Sequence, residues 1–131
     1  MKPKSVVTCL PTKNIEKSLT FYSECFKLEG LKIEDDMFTI ELANLSLFVM
    51  SQEAYEQYTK QVNMSAFYPD DSVQVIHSCA LEDTAMIEHL FTTAEQFGGT
   101  VAQQMRQNKW GQDAGYLCDP DGHLWEIVRV A

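Results

Sequence analysis

The sequence predicts an α+β fold made of two successive units, each running strand, helix, strand, strand, strand. Two observations support this. Strand-like runs alternate with amphipathic helical stripes in the same order in both halves. The signals that start and stop each helix, Asn14 and Gly30 in the first half and Asp83 and Gly99 in the second, recur at the same offset. At 131 residues the chain has the length of a single compact domain.

The first half contains one predicted amphipathic helix. Asn14 is suited to cap its N-terminus, and Gly30 is suited to end it. The apolar stripe between them consists of Ile15, Leu19, Tyr22 and Phe26. Strands are predicted over residues 4–10, 31–34, 37–43 and 45–50, and Ser51 is predicted to cap a short additional helix.

The second half repeats this order after a linker, residues 63–71, that contains Pro69. Asp83 or Thr84 caps a helix that ends at Gly98 and Gly99. Its apolar stripe consists of Met86, Ile87, Leu90, Phe91, Ala94 and Phe97. Strands are predicted over residues 72–81, 100–107, 113–118 and 124–130. We therefore predict one domain over residues 1–131, with module one at about 1–62 and module two at about 72–131.

The amino-acid composition limits the kinds of molecule that the protein can be expected to bind. The net charge of −9 disfavours binding to nucleic acid and to anionic membrane surfaces, and it permits a cationic ligand. No apolar run reaches membrane-spanning length, and the N-terminus lacks the pattern of a signal peptide. The four cysteines are scattered, without the spacing of a zinc or redox motif. We therefore expect a cytoplasmic protein with reduced cysteines.

A hairpin motif lies near the end of the chain. Residues 115–126 read GYLCDPDGHLWE, in which Asp119 to Gly122 form a turn between two strands. Pro120 pre-sets φ for the turn, and Gly122 accepts a positive φ. The whole string, including Glu126, resembles the last hairpin of the vicinal oxygen chelate superfamily, also called the glyoxalase/bleomycin-resistance/dioxygenase superfamily. Leu117 replaces the usual aromatic residue of that motif. The preceding Trp110-Gly111 is similar to an uncharacterised glyoxalase-like branch.

The resemblance implies an architecture beyond the order of elements. In this superfamily two βαβββ modules form a curved mixed sheet around a pocket, with the helices on its convex side. For this chain it implies eight strands in that sheet. It also implies a homodimer, because small members of the superfamily commonly pair near their pockets.

The resemblance further places four inward-facing positions that bind the metal in metal-dependent members. In this chain they fall on Val7, about Phe48, Ile76 and Glu126. Three of the four side chains have no donor atom, whereas a catalytic divalent ion usually takes three or more protein ligands. We therefore expect no bound cofactor and no stoichiometric divalent metal, with a metal held through Glu126 and His77 as the disfavoured alternative.

His77 has two interpretations. Strand alternation places Ile76 and Ser78 on the pocket side, so His77 would face the helix as a core histidine. A β-bulge would instead turn His77 inward beside Glu126. The other histidines, His89 on the second helix and His123 in the end hairpin, do not complete a cluster with Glu126.

Glu126 is the candidate functional group. It could bind a ligand amine or act as a general base, or it could be a structural carboxylate held by Gln74 or Ser78. Ligand-binding candidates around it are Trp110, Tyr116, Phe48, Ile76 and Val7. Trp110 lies in a predicted rim loop, and strand alternation predicts that it shares a pocket with Glu126.

Three functions are consistent with these residues. The leading one is binding of a small organic molecule without a catalytic metal, similar to the drug-binding, bleomycin-resistance-like members. The second is a metal-dependent lyase similar to lactoylglutathione lyase, or an isomerase or dioxygenase of the same superfamily. The third is a structural module without a ligand. We expect a binding protein more than an enzyme.

Overall fold

The computed structural model describes all 131 residues and contains seven strands and three α-helices. The first half contains β1 (Thr8–Thr12), α1 (Ile15–Thr20), β2 (Met37–Leu42), β3 (Leu45–Ser51) and α2 (Gln52–Thr59). The second half contains β4 (Ile76–Leu81), α3 (Thr84–Thr93), β5 (Thr100–Gln107), β6 (Asp113–Cys118) and β7 (Leu124–Arg129). A π-helical turn, Phe21–Cys25, extends α1.

The strands form two mixed sheets with the same connectivity. The first has the order β1-β3-β2 and the second the order β4-β7-β6-β5. In each sheet the first strand of the module pairs in parallel with the last one. This shared connectivity supports the predicted paired modules of βαβββ type.

The predicted single sheet of eight strands needs correction. The two sheets have three and four strands and do not close into one. The missing strand is residues 31–34, where only an isolated bridge joins Glu34 to Met37. Asp35 and Asp36 both have positive φ and reverse the chain immediately after that bridge, so no longer ladder forms.

The helix starts follow the predicted capping chemistry, whereas the first helix ends at Cys25 and α3 at Thr93, before the predicted stops at Gly30 and Gly98. The Asn14 side chain accepts a hydrogen bond from the Lys17 N–H, and Asp83 accepts from the N–H groups of Ala85 and Met86. Ser51 caps α2 through the N–H of Ala54. No helix is both long enough and apolar enough to cross a membrane.

One hydrophobic core joins the two modules. It contains Phe21, Tyr22 and Cys25 from the turn after α1, together with Leu90 and Phe91 from α3. The Cys25 thiol lies 3.5 Å from the Leu90 carbonyl, where the two modules meet. Trp125 and Ile127 of β7 enter the same core and leave the intervening Glu126 on the opposite face of the sheet.

Candidate functional site

The open side of the second sheet carries the Glu126 face, which we define as Ile76, Ser78, Tyr116, Leu124 and Glu126. Ile76 pairs with Leu124, and both Ser78 and Tyr116 pair with Glu126 on neighbouring strands. Paired residues on adjacent strands point to the same side of a sheet. The alternation of β4 and β7 therefore places these five side chains together, away from the core.

Two hydroxyl groups orient the Glu126 carboxylate. Ser78 Oγ donates a hydrogen bond to Oε1 at 2.6 Å, and the Tyr116 hydroxyl donates to Oε2 at 2.6 Å. Hydrogen bonding from Ser78, followed by that from Tyr116, lowers the pKa of Glu126. The same contact raises the pKa of Tyr116. Glu126 is therefore an ionised acceptor of fixed orientation at neutral pH.

The apolar candidates surround this carboxylate unevenly. Ile76 is on the Glu126 face and is 55% exposed. Phe48 is half-buried and pairs with Cys9 on the first sheet, and Val7 precedes Cys9 by two residues on the same side. Trp110 is at the tip of the β5–β6 hairpin, 72% exposed, with Lys109 Nζ 4.8 Å from its ring centroid. That Trp110 shares a pocket with Glu126 stays a prediction.

His77 lies on the core side of β4. It is buried, and its ring centroid is 4.8 Å from that of Trp125, which itself is 1% exposed. Burial, and then the nearby His123, lower the pKa of His77, so its imidazole stays neutral. Since Ser78 and Glu126 occupy the opposite side, His77 and Glu126 do not form a common donor set in this geometry.

The four positions that bind metal in metal-dependent relatives therefore offer a poor set of donors. Val7, Phe48 and Ile76 are apolar, and the hydroxyls beside Glu126 are protonated and donate to it. One carboxylate does not match the three or more protein ligands of a catalytic divalent ion. These residues do not fit the metal that the superfamily resemblance implies.

The structure also contains a second polar cluster, which the sequence analysis does not predict. Asp119, Asp121 and His123, which we call the turn cluster, are buried around the β6–β7 turn, and their ligand atoms lie within 4.8 Å of one another. His123 also lines a cavity of about 330 Å³ between β1, α2, the linker and β4, together with His77, whereas Asp119 and Asp121 do not line it. The alternating Asp-x-Asp-x-His pattern was the available signal, but its spacing also suits an ordinary turn.

Comparison with known proteins supports the family assignment. The model of the family described as "Glyoxalase/Bleomycin resistance protein/Dioxygenase superfamily" matches residues 4–127. A curated Bacillus subtilis protein named "Probable trivalent organoarsenical cleaving enzyme" is 27% identical over 115 residues, which cover 87% of this chain and 71% of that protein.

Two solved structures are similar over nearly the whole chain. A hypothetical protein from S. aureus has a TM-score of 0.81 and 16% identity, covering 99% of this chain and 96% of that one. A glyoxalase-related enzyme from Fulvimarina pelagi has a TM-score of 0.79 and 20% identity, covering 98% and 89%. At these identities the similarity shows the fold alone. Together with the match over residues 4–127, it shows that the chain belongs to the glyoxalase/bleomycin resistance protein/dioxygenase superfamily.

Proposed function

We propose that the Glu126 face binds a small organic molecule that carries a positive charge or a hydrogen-bond donor, without a catalytic metal. The observation that carries this proposal is the ionised Glu126 carboxylate, held by Ser78 and Tyr116 on an open sheet face beside exposed Ile76. A carboxylate offers about four lone-pair sites, of which these hydroxyls use two. The remaining sites are available to a donor on a ligand.

The surroundings favour a ligand with an apolar body. Ile76 and Leu124 flank the carboxylate within the Glu126 face. Trp110, at the tip of the adjacent hairpin, could add aromatic surface and a cation–π contact by closing towards the ligand. An aromatic or alkyl ammonium ion combines the charge and the apolar surface that these residues would recognise.

Removing the negative charge should weaken this binding. We expect Glu126→Gln to reduce the affinity for benzylammonium by about tenfold or more, because a hydrogen bond to a charged group contributes roughly 1.5–3 kcal/mol. Trp110→Ala should also weaken it. Calorimetric titration measures both effects, with benzyl alcohol as the neutral ligand of similar shape.

Glu95→Gln is the matched control, since Glu95 is an exposed carboxylate outside the Glu126 face. It should leave benzylammonium binding unchanged. Binding by the wild-type protein should also persist at pH 4.5, the ordinary pKa of a glutamate, because the pKa of Glu126 is lowered. Equal binding of benzyl alcohol and benzylammonium, or full binding by Glu126→Gln, would contradict the proposal.

We also propose that the protein is a homodimer whose subunits pair near the Glu126 face and leave its pocket open to a ligand. The exposed Ile76 is consistent with a partner there. Light scattering should give twice the mass of the 14.9 kDa chain. A monomeric mass across a wide range of concentrations would contradict this assembly while leaving ligand binding by a single chain to be measured separately.

An enzymatic function is the second candidate, and the name of the B. subtilis relative favours testing it. A lyase or dioxygenase mechanism through Glu126 and a metal would require further ligands that Val7, Phe48 and Ile76 do not supply. Metal analysis of wild-type protein and of Glu126→Gln distinguishes the two functions. One equivalent of iron, nickel, zinc or manganese that disappears with Glu126→Gln would support the enzyme.

A further inference from the structure

We infer that the turn cluster, Asp119, Asp121 and His123, is a binding site for a single divalent transition-metal ion, separate from the Glu126 face. The prediction that the protein binds no metal rests only on the positions around Glu126, most of which lack donor atoms. The turn cluster lies beyond the end of β6 and provides two carboxylates and one imidazole within 4.8 Å of one another. All three residues are buried.

His123 is held in the form that binds metals. Its Nε2 lies 2.9 Å from the Pro11 carbonyl oxygen, which can only accept a hydrogen bond, so Nε2 carries the proton. In a neutral imidazole this leaves the lone pair on Nδ1. Histidine ligands of metals commonly donate their other ring N–H to a backbone carbonyl in this way. The Pro11 contact thus fixes both the orientation and the tautomer that a metal requires.

Asp121 has a buried oxygen without a partner. Its Oδ1 accepts a hydrogen bond from the Lys13 N–H at 2.9 Å, whereas its Oδ2 has none. The residue is only 8% exposed. Burying a carboxylate oxygen without compensation is costly, so an unpaired one indicates a missing partner. A cation bound by Oδ2 would supply that partner.

Asp119 has capacity for one more contact. Its Oδ1 accepts the N–H groups of Asp121 and His123, and its Oδ2 accepts the Tyr22 hydroxyl at 2.7 Å. Three of about four lone-pair sites are therefore used. Donors that share one ion at about 2.0–2.2 Å lie at most about 4.4 Å apart, so the cluster needs only a small contraction around an ion.

The chemistry of the three donor groups indicates which metal ion the site would bind. An imidazole with two carboxylates suits Mn²⁺, Zn²⁺ or Fe²⁺ better than Mg²⁺ or Ca²⁺, which prefer oxygen ligands alone. Of the three cluster residues only His123 lines the 330 Å³ cavity, so an ion would reach the cluster from the His123 side. The ion would fix the β6–β7 turn to the residues before α1, a structural role.

Titration of the full-length, EDTA-treated protein with MnCl₂ tests this site, because Mn²⁺ has little preference for the free cysteines. We expect one equivalent to bind, and the melting temperature to rise by about 10 °C at a hundredfold excess over Kd. CaCl₂ and MgCl₂ should have smaller effects at equal concentration. ZnCl₂ should compete with Mn²⁺ for the same equivalent.

Asp121→Asn is the decisive variant. It keeps an oxygen for the Lys13 N–H and removes the buried charge, so the metal-free variant should melt at or above the wild-type temperature while its response to MnCl₂ is lost. His123→Gln should lose the response as well. His89→Gln, which removes a surface imidazole, and Glu126→Gln should both retain it. An unchanged wild-type melting temperature with MnCl₂, or an undiminished response in Asp121→Asn, would overturn the inference.

Discussion

Replacing Asp119 with alanine should lower the free energy of unfolding by about 3–5 kcal/mol, a loss typical of breaking a buried network that includes a charge. The carboxylate accepts two backbone N–H groups within the turn and the Tyr22 hydroxyl from the other module. The Tyr22 hydroxyl in turn accepts the indole N–H of Trp125 at 3.1 Å. Alanine would leave several buried donors unsatisfied at once.

Two milder substitutions separate the parts of this network. Asp119→Asn keeps an acceptor for the turn N–H groups and should cost less than alanine. Tyr22→Phe keeps the ring packing but removes the hydroxyl between Asp119 and Trp125, for a loss of about 1–3 kcal/mol. Chemical denaturation in EDTA measures all three without any contribution from a metal. An alanine variant as stable as Tyr22→Phe would contradict the central role of Asp119 in the turn.

Local signals predicted much of this fold correctly. Asn14, Ser51 and Asp83 cap helices because a short polar side chain before an apolar stripe is a strong local determinant. Strand alternation separated Trp125 from Glu126 because the side-chain period of a strand is two. These features depend on neighbours in the sequence, and for that reason one sequence is enough to predict them.

The sequence was least informative where distant segments meet. Residues 31–34 have strand-like composition, yet Leu31 and Ile33 pack against the core without a ladder, which tertiary packing decides. The turn cluster depends on Pro11 and Lys13 approaching His123 and Asp121 from the other end of the chain. No spacing rule within residues 119–123 encodes those contacts.

The linker between the modules passes directly beside Gly122 in the β6–β7 turn. This residue has φ +90°, and a Cβ added there would collide with the backbone carbonyl of Pro69 in the linker. The turn motif explains the positive φ, whereas the approach of Pro69 is an additional, long-range constraint. Tyr68, beside it, carries the Lys13 ammonium over its ring at 4.8 Å, so the linker is tied to both modules here.

We therefore expect Gly122→Ala to destabilise the protein by more than about 3 kcal/mol, because backbone strain and a clash with rigid backbone add together. Gly111→Ala is the matched control. Gly111 has a similar φ of +82° but no atom within 4 Å of an added Cβ, so it should cost only about 1–2 kcal/mol. Denaturant unfolding gives the difference between the two variants, and proteolysis at the linker should accelerate only in Gly122→Ala. Equal losses would mean that the positive φ alone explains the glycine and that the linker yields freely to the added methyl group.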